Sequence, residues 1–358
     1  MDTLVPHSSA ATIAAHPIDT LRAASAVPEA LAQSLAAEHY GLIAAVDRLD
    51  SERDQNFRLR SLSGREYVLK IANPAEDRAV TNLQTEALLH LATADPGLPV
   101  PRVFPARNGM TELDVTFDDG STRVVRLLSY LAGTPLHAAA GSTALRRDLG
   151  RCAARLTKGL GDFSHCGANH KLLWDLQHAR ELRPLTDAVP AERRGLVEDV
   201  LGGFESCALP VLPQLPGQPV HNDLNPHNVV VDPETHAVVA GIIDFGDLTA
   251  TARVNDLAIT AAYQVADSDD PLAPACEMIA AYHAVLPLEP AELRVLFDLI
   301  TTRMAMTIVI SSWRAARYPA NRNYILRNNA AAWARLQRVA KLSRDQAKLQ
   351  IQRACHLG

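Results

Sequence analysis

His221, Asp223, Asn228 and Asp244 are the residues of this chain whose types and order best fit chemistry. They fall in one stretch: His221-Asn222-Asp223-Leu224-Asn225-Pro226-His227-Asn228, then Val229-Val230-Val231, a turn at Asp232-Pro233-Glu234, an apolar run from Val238 to Ile243, and Asp244-Phe245-Gly246-Asp247. Apolar runs on both sides of a turn make a short hairpin, so the polar residues before and after it return to the same end. One cluster is thus built from residues that span 24 positions. Such a cluster suits phosphoryl transfer. An Asp accepts the proton of an attacking hydroxyl, while an Asn and a second Asp offer hard oxygens to magnesium, which neutralises phosphate charge. Asp223 is the candidate base, Asn228 and Asp244 the candidate metal ligands, and His221 the residue expected to brace the loop. The competing reading is an Asx-rich turn that serves only its own backbone, and it does not call for four such residues in this order.

These groups need elements to hold them. Tyr67 to Ile71 reads as a strand; alternation puts Val68 and Lys70 on one face and Tyr67, Leu69 and Ile71 on the other. A small apolar residue two places before a Lys suits an adenine floor leading to a phosphate-binding ammonium. Around that strand, Pro28 to Tyr40 reads as a helix, Phe57 and Leu59 alternate with Arg58 and Arg60, and Ser61 to Gly64 form a turn. Ala79 to Leu91 carries Leu83, Ala87, Leu88 and Leu91 at helical spacing, and a hairpin follows from Leu113–Phe117 through Asp118-Asp119-Gly120 to Thr122–Leu128. Beyond Gly133-Thr134-Pro135 the pattern is helical over about 145–160, 171–183, 191–207, 253–266, 272–284, 290–317 and 325–341, broken by the island at 220–243. The expected class is therefore α+β. A small, mainly antiparallel β lobe (27–131) with one embedded helix precedes a large, mainly helical lobe (132–358), with a ligand cleft between them. Residues 1–26 read as a loose leader.

Composition narrows the partners. The chain has 358 residues, with Lys plus Arg 35 against Asp plus Glu 40, a formal net charge of −5. No positive excess exists for bulk binding to nucleic acid. No run approaches the length of a membrane span, and the N-terminus lacks a basic start followed by an apolar segment. The five cysteines are scattered with no Cys-x-x-Cys pair, which gives no support to a disulfide framework or a structural zinc site. A cytoplasmic protein, monomeric or homodimeric, acting on a small molecule is the expectation.

The motifs HNDLNPHN (221–228) and IIDFGD (242–247) resemble those of the aminoglycoside phosphotransferase and choline kinase superfamily, over about residues 36–336. The usual H-G-D-x-H-x-x-N has Asn222 and Asn225 in place of Gly and His. Within the superfamily, SERDQNF (51–57), YVLKIANP (67–74), WDL (174–176) and IIDFGD are most similar to the hydroxylysine kinase group. That resemblance implies a protein-kinase-like bilobal fold, Mg2+, and ATP or GTP as phosphoryl donor. It also implies a helix residue facing Lys70. Alignment by E-x-x-x-L-x-x-L puts Gln84 there, with an amide in place of the usual ion pair, while Glu86 is the nearby carboxylate about 200° round the helix. The nucleotide-covering loop falls at residues 51–56, without glycine, where Ser51 and backbone amides could meet phosphate. Residues 127–131 link the lobes, with Ser129 and Leu131 offering backbone to the purine edge.

For the acceptor, 5-hydroxylysine or a related hydroxylated amine is implied, with a homoserine- or aminoglycoside-type kinase and a nucleotide-binding regulatory pseudokinase as rivals. Ammonium groups would favour Asp247 and Asp175, with Trp174 packing on an alkyl-ammonium chain. Arg303 and Arg314, among apolar neighbours in 290–317, are forked donors suited to a carboxylate. Asp256 is expected to brace the catalytic loop.

Overall fold

A computed structural model describes residues 25–51 and 53–356 of the chain; the expected leader over 1–26 lies almost wholly outside these residues, as does Glu52. Helix α1 (Glu29–Tyr40) begins after Pro28 and ends at Gly41, whose φ of 68° lets its N–H turn back to the Ala36 and Ala37 carbonyls. Strands β1 (Ala44–Leu49), β2 (Gln55–Ser61) and β3 (Glu66–Ile71) follow, then α2 (Arg78–Ala94), β4 (Val103–Phe104), β5 (Leu113–Thr116) and β6 (Thr122–Ser129). They form one antiparallel sheet in the order β1-β2-β3-β6-β4, with β5 also on β6.

Period-two alternation decides what each face of this sheet does. Phe57, Leu59, Leu69, Ile71, Val125 and Leu127 form one buried face, which packs with Leu35 and Ala36 of α1 in the smaller of two cores. The residues between them, Val68, Lys70, Arg126 and Leu128, face the other way; Lys70 stands opposite Arg126 and Val68 opposite Leu128. Helix α2 covers this second face, and its Leu83, Leu88 and Leu91 join Val68 and Leu128 in the larger core. The Asp77 carboxylate caps α2 by accepting the Ala79 N–H at 2.8 Å.

The remainder is mostly helical: β7 (Thr134–Pro135), α3 (Thr143–Gly159), α4 (Ala191–Gly203), β8 (Gly217–Val220), β9 (Val229–Val231), β10 (Val239–Ile242), β11 (Thr249–Ala252), α5 (Val254–Ala262), α6 (Ala273–Val285), α7 (Pro290–Arg317), α8 (Arg322–Ile325), α9 (Asn329–Val339) and α10 (Arg344–His356). Helix α7 spans 28 residues, starts with Pro290 in its first turn, and carries a reciprocal Glu289/Glu292 capping box. Its residues from Leu293 to Ile310 are almost continuously buried, so it is the central post of this lobe. Two glycines permit close approaches. A Cβ at Gly133 would lie 2.6 Å from the Val231 carbonyl oxygen where the chain crosses between the lobes, and one at Gly150 of α3 would collide with the Met278 carbonyl of α6.

Two expectations are corrected. The helix read over 171–183 is a tighter three-residue-per-turn helix over Leu176–Ala188, because Asp175 caps its start and Pro184 inside it has no N–H to give. The helix read over 325–341 divides into α8 and α9. The island at 220–243 holds strands as expected: β9 pairs with β10, while β8 pairs with β11, placing Val220 opposite Thr249. Among the described residues, no helix is long and apolar enough to cross a membrane.

Candidate active site

The loop from His221 to Asn228 joins β8 to β9, and Ile243 to Leu248 joins β10 to β11, so both strand pairings bring these loops to one end. Asp256, fully buried in the first turn of α5, fixes the first loop. Its two carboxylate oxygens accept the backbone N–H groups of His221 (2.9 Å) and Asn222 (2.6 Å). This lets Asn222 hold a left-handed φ of 63°, which non-glycine residues seldom adopt. Burial raises the pKa of Asp256, opposed by His221 and by those two N–H bonds. His221 ties the two loops together. Its Nε2 lies 3.0 Å from the Ile243 carbonyl, its Nδ1 accepts the Asp223 N–H at 3.3 Å, and its ring meets Phe245 edge-on at 4.8 Å.

Asp223 is the hub. Oδ1 accepts from Arg303 Nη2 at 2.7 Å, and Oδ2 accepts from Asn225 Nδ2 (2.7 Å) and Asn228 Nδ2 (2.8 Å). Burial pushes its pKa up to about 7; Arg303 works against this, while Asp247 and Asp244 add to it. Asn228 spends its Nδ2 on Asp223, on the carbonyl oxygen at 3.0 Å as well as the carboxylate, which leaves its amide oxygen as the group to offer a cation. Asp244 has φ 63° and an exposed carboxylate that accepts from Gly246 N and lies 4.0 Å from Lys70 Nζ.

The oxygens of Asn228 and Asp244 fit magnesium, which keeps few protein ligands and completes its shell with phosphate and water. Among the described residues no group of three or more His, Cys, Asp or Glu could hold a metal ion.

Lys70 meets neither residue weighed for it on the helix. Its Nζ pairs with Asp54 Oδ2 at 3.1 Å. Gln84 instead accepts from Arg126 Nη2 at 3.1 Å, and Glu86 is exposed. Val68 lies on the Lys70 face, as the alternation required. Ser51 is exposed at the loop start, and the residues that reach inward are its successors Arg53 and Asp54. Arg53 crosses the cleft to Asp247 Oδ1 (2.6 Å) and the Gly246 carbonyl (3.4 Å). Burial would raise the Asp247 pKa, but Arg53, with Arg303 and His221, holds it below the ordinary carboxylate value. Ser129 is engaged with Arg102: its Oγ accepts the Arg102 N–H and its own N–H bonds the Arg102 carbonyl, both at 2.8 Å. Leu131 lies between β6 and β7, half-buried.

Beside Asp223 a cavity of about 120 Å³ is lined by Arg53, Trp174, Asn225, Asp247, Tyr263, Arg303, Arg314 and Arg327, with Thr307, Ser311, Tyr324, Ile325 and Asn328 completing its wall. Arg303 sits over the Trp174 ring at 5.0 Å and donates to the Trp174 carbonyl at 3.2 Å. Asp175 is not part of this wall. It is fully buried, accepting from Gln177 N and Thr251 Oγ1, both at 3.1 Å, so the expectation that it meets an ammonium group does not fit its position. Sequence reasoning missed Asp54, Arg53, Tyr263 and Arg327. The one available signal was an adjacent Arg-Asp pair at the centre of a loop that has no glycine.

A β lobe carrying an inward Lys above a helical lobe carrying the Asp–Asn–Asp cluster is the layout of a phosphotransferase. The chain belongs to the phosphotransferase enzyme family APH, whose family profile matches residues 45–296. It is 30% identical to a hydroxylysine kinase of Xenopus laevis over 342 residues, covering 89% of this chain and 91% of that one. A hydroxylysine kinase of Mus musculus is likewise 30% identical over 343 residues, covering 88% and 91%. In fold it resembles a microcompartment-associated aminopropanol kinase (TM-score 0.65, 18% identity, 87% of this chain and 97% of that). It also resembles an amicoumacin kinase solved with AMP-PNP, Ca2+ and its ligand (TM-score 0.62, 15% identity, 85% and 93%). The protein is a small-molecule phosphotransferase.

Proposed function

We propose that this enzyme phosphorylates the hydroxyl of a small amino acid, 5-hydroxylysine or a close hydroxylated analogue, using ATP or GTP. Residues 27–131 hold the nucleotide, and 132–358 hold the acceptor and the reacting groups. The cavity next to Asp223 carries this reading, because its wall has both signs of charge: Asp223 and Asp247 against Arg53, Arg303, Arg314 and Arg327. A zwitterionic acceptor suits such a wall. An aminoglycoside, with several ammonium groups, meets more guanidinium than carboxylate there. Homoserine fits the charge pattern equally well and is the nearest rival.

In the reaction, the acceptor oxygen attacks the γ-phosphorus while the bond from that phosphorus to the β,γ-bridging oxygen breaks, and the nucleoside diphosphate leaves. Asp223 takes the hydroxyl proton, at a carboxylate oriented by Arg303, Asn225 and Asn228. Lys70 orients the phosphates, on the Val68 face of β3, and the purine edge would meet the backbone at Leu131, since the Ser129 N–H is already bonded to the Arg102 carbonyl. His221 keeps both loops in register through Ile243. Magnesium held by Asn228 and Asp244 would supply charge neutralisation at the phosphates.

The test is a panel of 5-hydroxylysine, homoserine, ethanolamine-type alcohols and an aminoglycoside, each with magnesium and ATP or GTP, followed by nucleoside diphosphate release. Acceptor-dependent release that is highest with 5-hydroxylysine supports the proposal; preference for the aminoglycoside refutes it. Release that no acceptor stimulates would favour the regulatory pseudokinase.

A further inference from the structure

We propose that Asp54 is the positioning residue for Lys70, acting from the β1–β2 loop in the role that a helix carboxylate fills in the protein-kinase arrangement. The inference rests on the reading of Lys70 as the phosphate-binding ammonium and identifies what holds that ammonium in place.

The cause lies in the strand next door. Lys70 on β3 is directly opposite Arg126 on β6, so two cations share one face of the sheet at adjacent positions. Like charges so placed repel, and each needs its own set of acceptors. Arg126 takes the helix. It is 1% exposed, and its guanidinium donates to Gln84 Oε1 at 3.1 Å, the Thr81 carbonyl at 3.2 Å and Thr85 Oγ1 at 3.2 Å. With Arg126 there, the helix position that would face Lys70 is occupied, and an amide at residue 84 serves Arg126 rather than Lys70. The ammonium turns to Asp54 at 3.1 Å, with the two side chains only 12% and 11% exposed.

Asp54 is itself held on both sides. Its Oδ1 accepts the Asn73 N–H at 3.1 Å, just beyond the end of β3, while Asn73 Nδ2 reaches the Arg53 carbonyl at 3.3 Å. Arg53 anchors the loop across the cleft on Asp247. A loop without glycine is thus fastened by side chains at two consecutive residues, one to each lobe. A fixed anion 3.1 Å from Lys70 Nζ holds the ammonium in one place, which orders a flexible side chain before nucleotide arrives.

The experiment compares wild type with Asp54→Asn, Asp54→Glu, Lys70→Ala and the double variant Asp54→Asn/Lys70→Ala. Binding of magnesium-ATP and magnesium-GTP is measured by calorimetry, with kcat and both KM values where turnover is found. Asp54→Asn is expected to weaken nucleotide binding about tenfold and to raise nucleotide KM with little change in acceptor KM. Asp54→Glu is expected to stay within a few-fold of wild type. In the Lys70→Ala background the Asp54→Asn change should cost almost nothing further, because its effect runs through Lys70. Unchanged or tighter nucleotide binding by Asp54→Asn would overturn the proposal, since Asp54 would then be a bystander or an occupant of the phosphate site. Equal losses in both backgrounds would also overturn it, by showing a loop-folding role independent of Lys70. A wild-type protein that binds neither nucleotide would overturn the reading of Lys70 itself, and the proposal with it.

Discussion

Arg303 in the middle of α7 places Nη2 2.7 Å from Asp223 Oδ1, although 80 residues separate them, and its side chain is only 3% exposed. The guanidinium is spoken for on three sides, by the carboxylate, the Trp174 carbonyl and the Trp174 ring. Sequence reading placed Arg303 against an acceptor carboxylate; in the structure it is bonded to the candidate base.

Removing Arg303 should therefore show in turnover more than in acceptor affinity. Arg303→Ala leaves Asp223 buried beside other carboxylates without the guanidinium bonded to it, and kcat is expected to fall by about 100-fold or more. Arg303→Lys keeps charge but not the fork, so an intermediate loss is expected. Steady-state kinetics decide the matter: a large rise in acceptor KM with kcat preserved would assign Arg303 to the acceptor instead.

The burial that lifts Asp223 gives a pH signature in the protein free of metal and nucleotide. Its pKa in the folded chain is about 7, against 3.8 for an unperturbed Asp. Between those values the folded chain holds a proton that the unfolded chain has released, so this group's contribution to stability falls as pH rises through the window and is level above it. Asp223→Asn removes that dependence. Thermal melts should show the variant gaining in Tm relative to wild type at pH 8 compared with pH 5, with kcat reduced by about 100- to 10,000-fold. An equal Tm difference at both pH values would contradict the shifted pKa.

Asp256 tests the support of the loop. Its two oxygens each accept one backbone N–H, and an Asn in its place can accept with only one. Asp256→Asn is expected to cost about 1–3 kcal/mol of stability, read by urea denaturation, and to lower kcat without any change at the reacting residues. Wild-type kcat in a destabilised variant would separate folding from loop geometry.

Asp244→Ala should raise the magnesium concentration needed for half-maximal turnover, because the cation would lose its carboxylate while Asn228 remains. Titration of magnesium at saturating nucleotide measures this. An unchanged requirement would remove Asp244 from the metal site.

Much of this protein was legible along the chain. Alternation at Val68–Lys70 named the inward face of β3 because the side-chain period of a strand is fixed by its backbone. The hairpin signal at 229–242 put the loop that carries Asp223 and Asn228 at the same end as the loop that carries Asp244, because a short turn leaves the flanking residues no other place to go. Family motifs then gave the class of reaction. What the chain alone could not give was any contact set by packing between distant segments. The pairing of Lys70 with Asp54 depends on Arg126 having already taken α2, and that depends on β6 lying beside β3. The pairing of Arg303 with Asp223 depends on where α7 crosses the catalytic loop. Local spacing fixes periodicity and turns, whereas the choice of counter-ion for a buried charge is made by whichever partner the assembled lobes bring within about 3 Å, where low dielectric makes the pairing count.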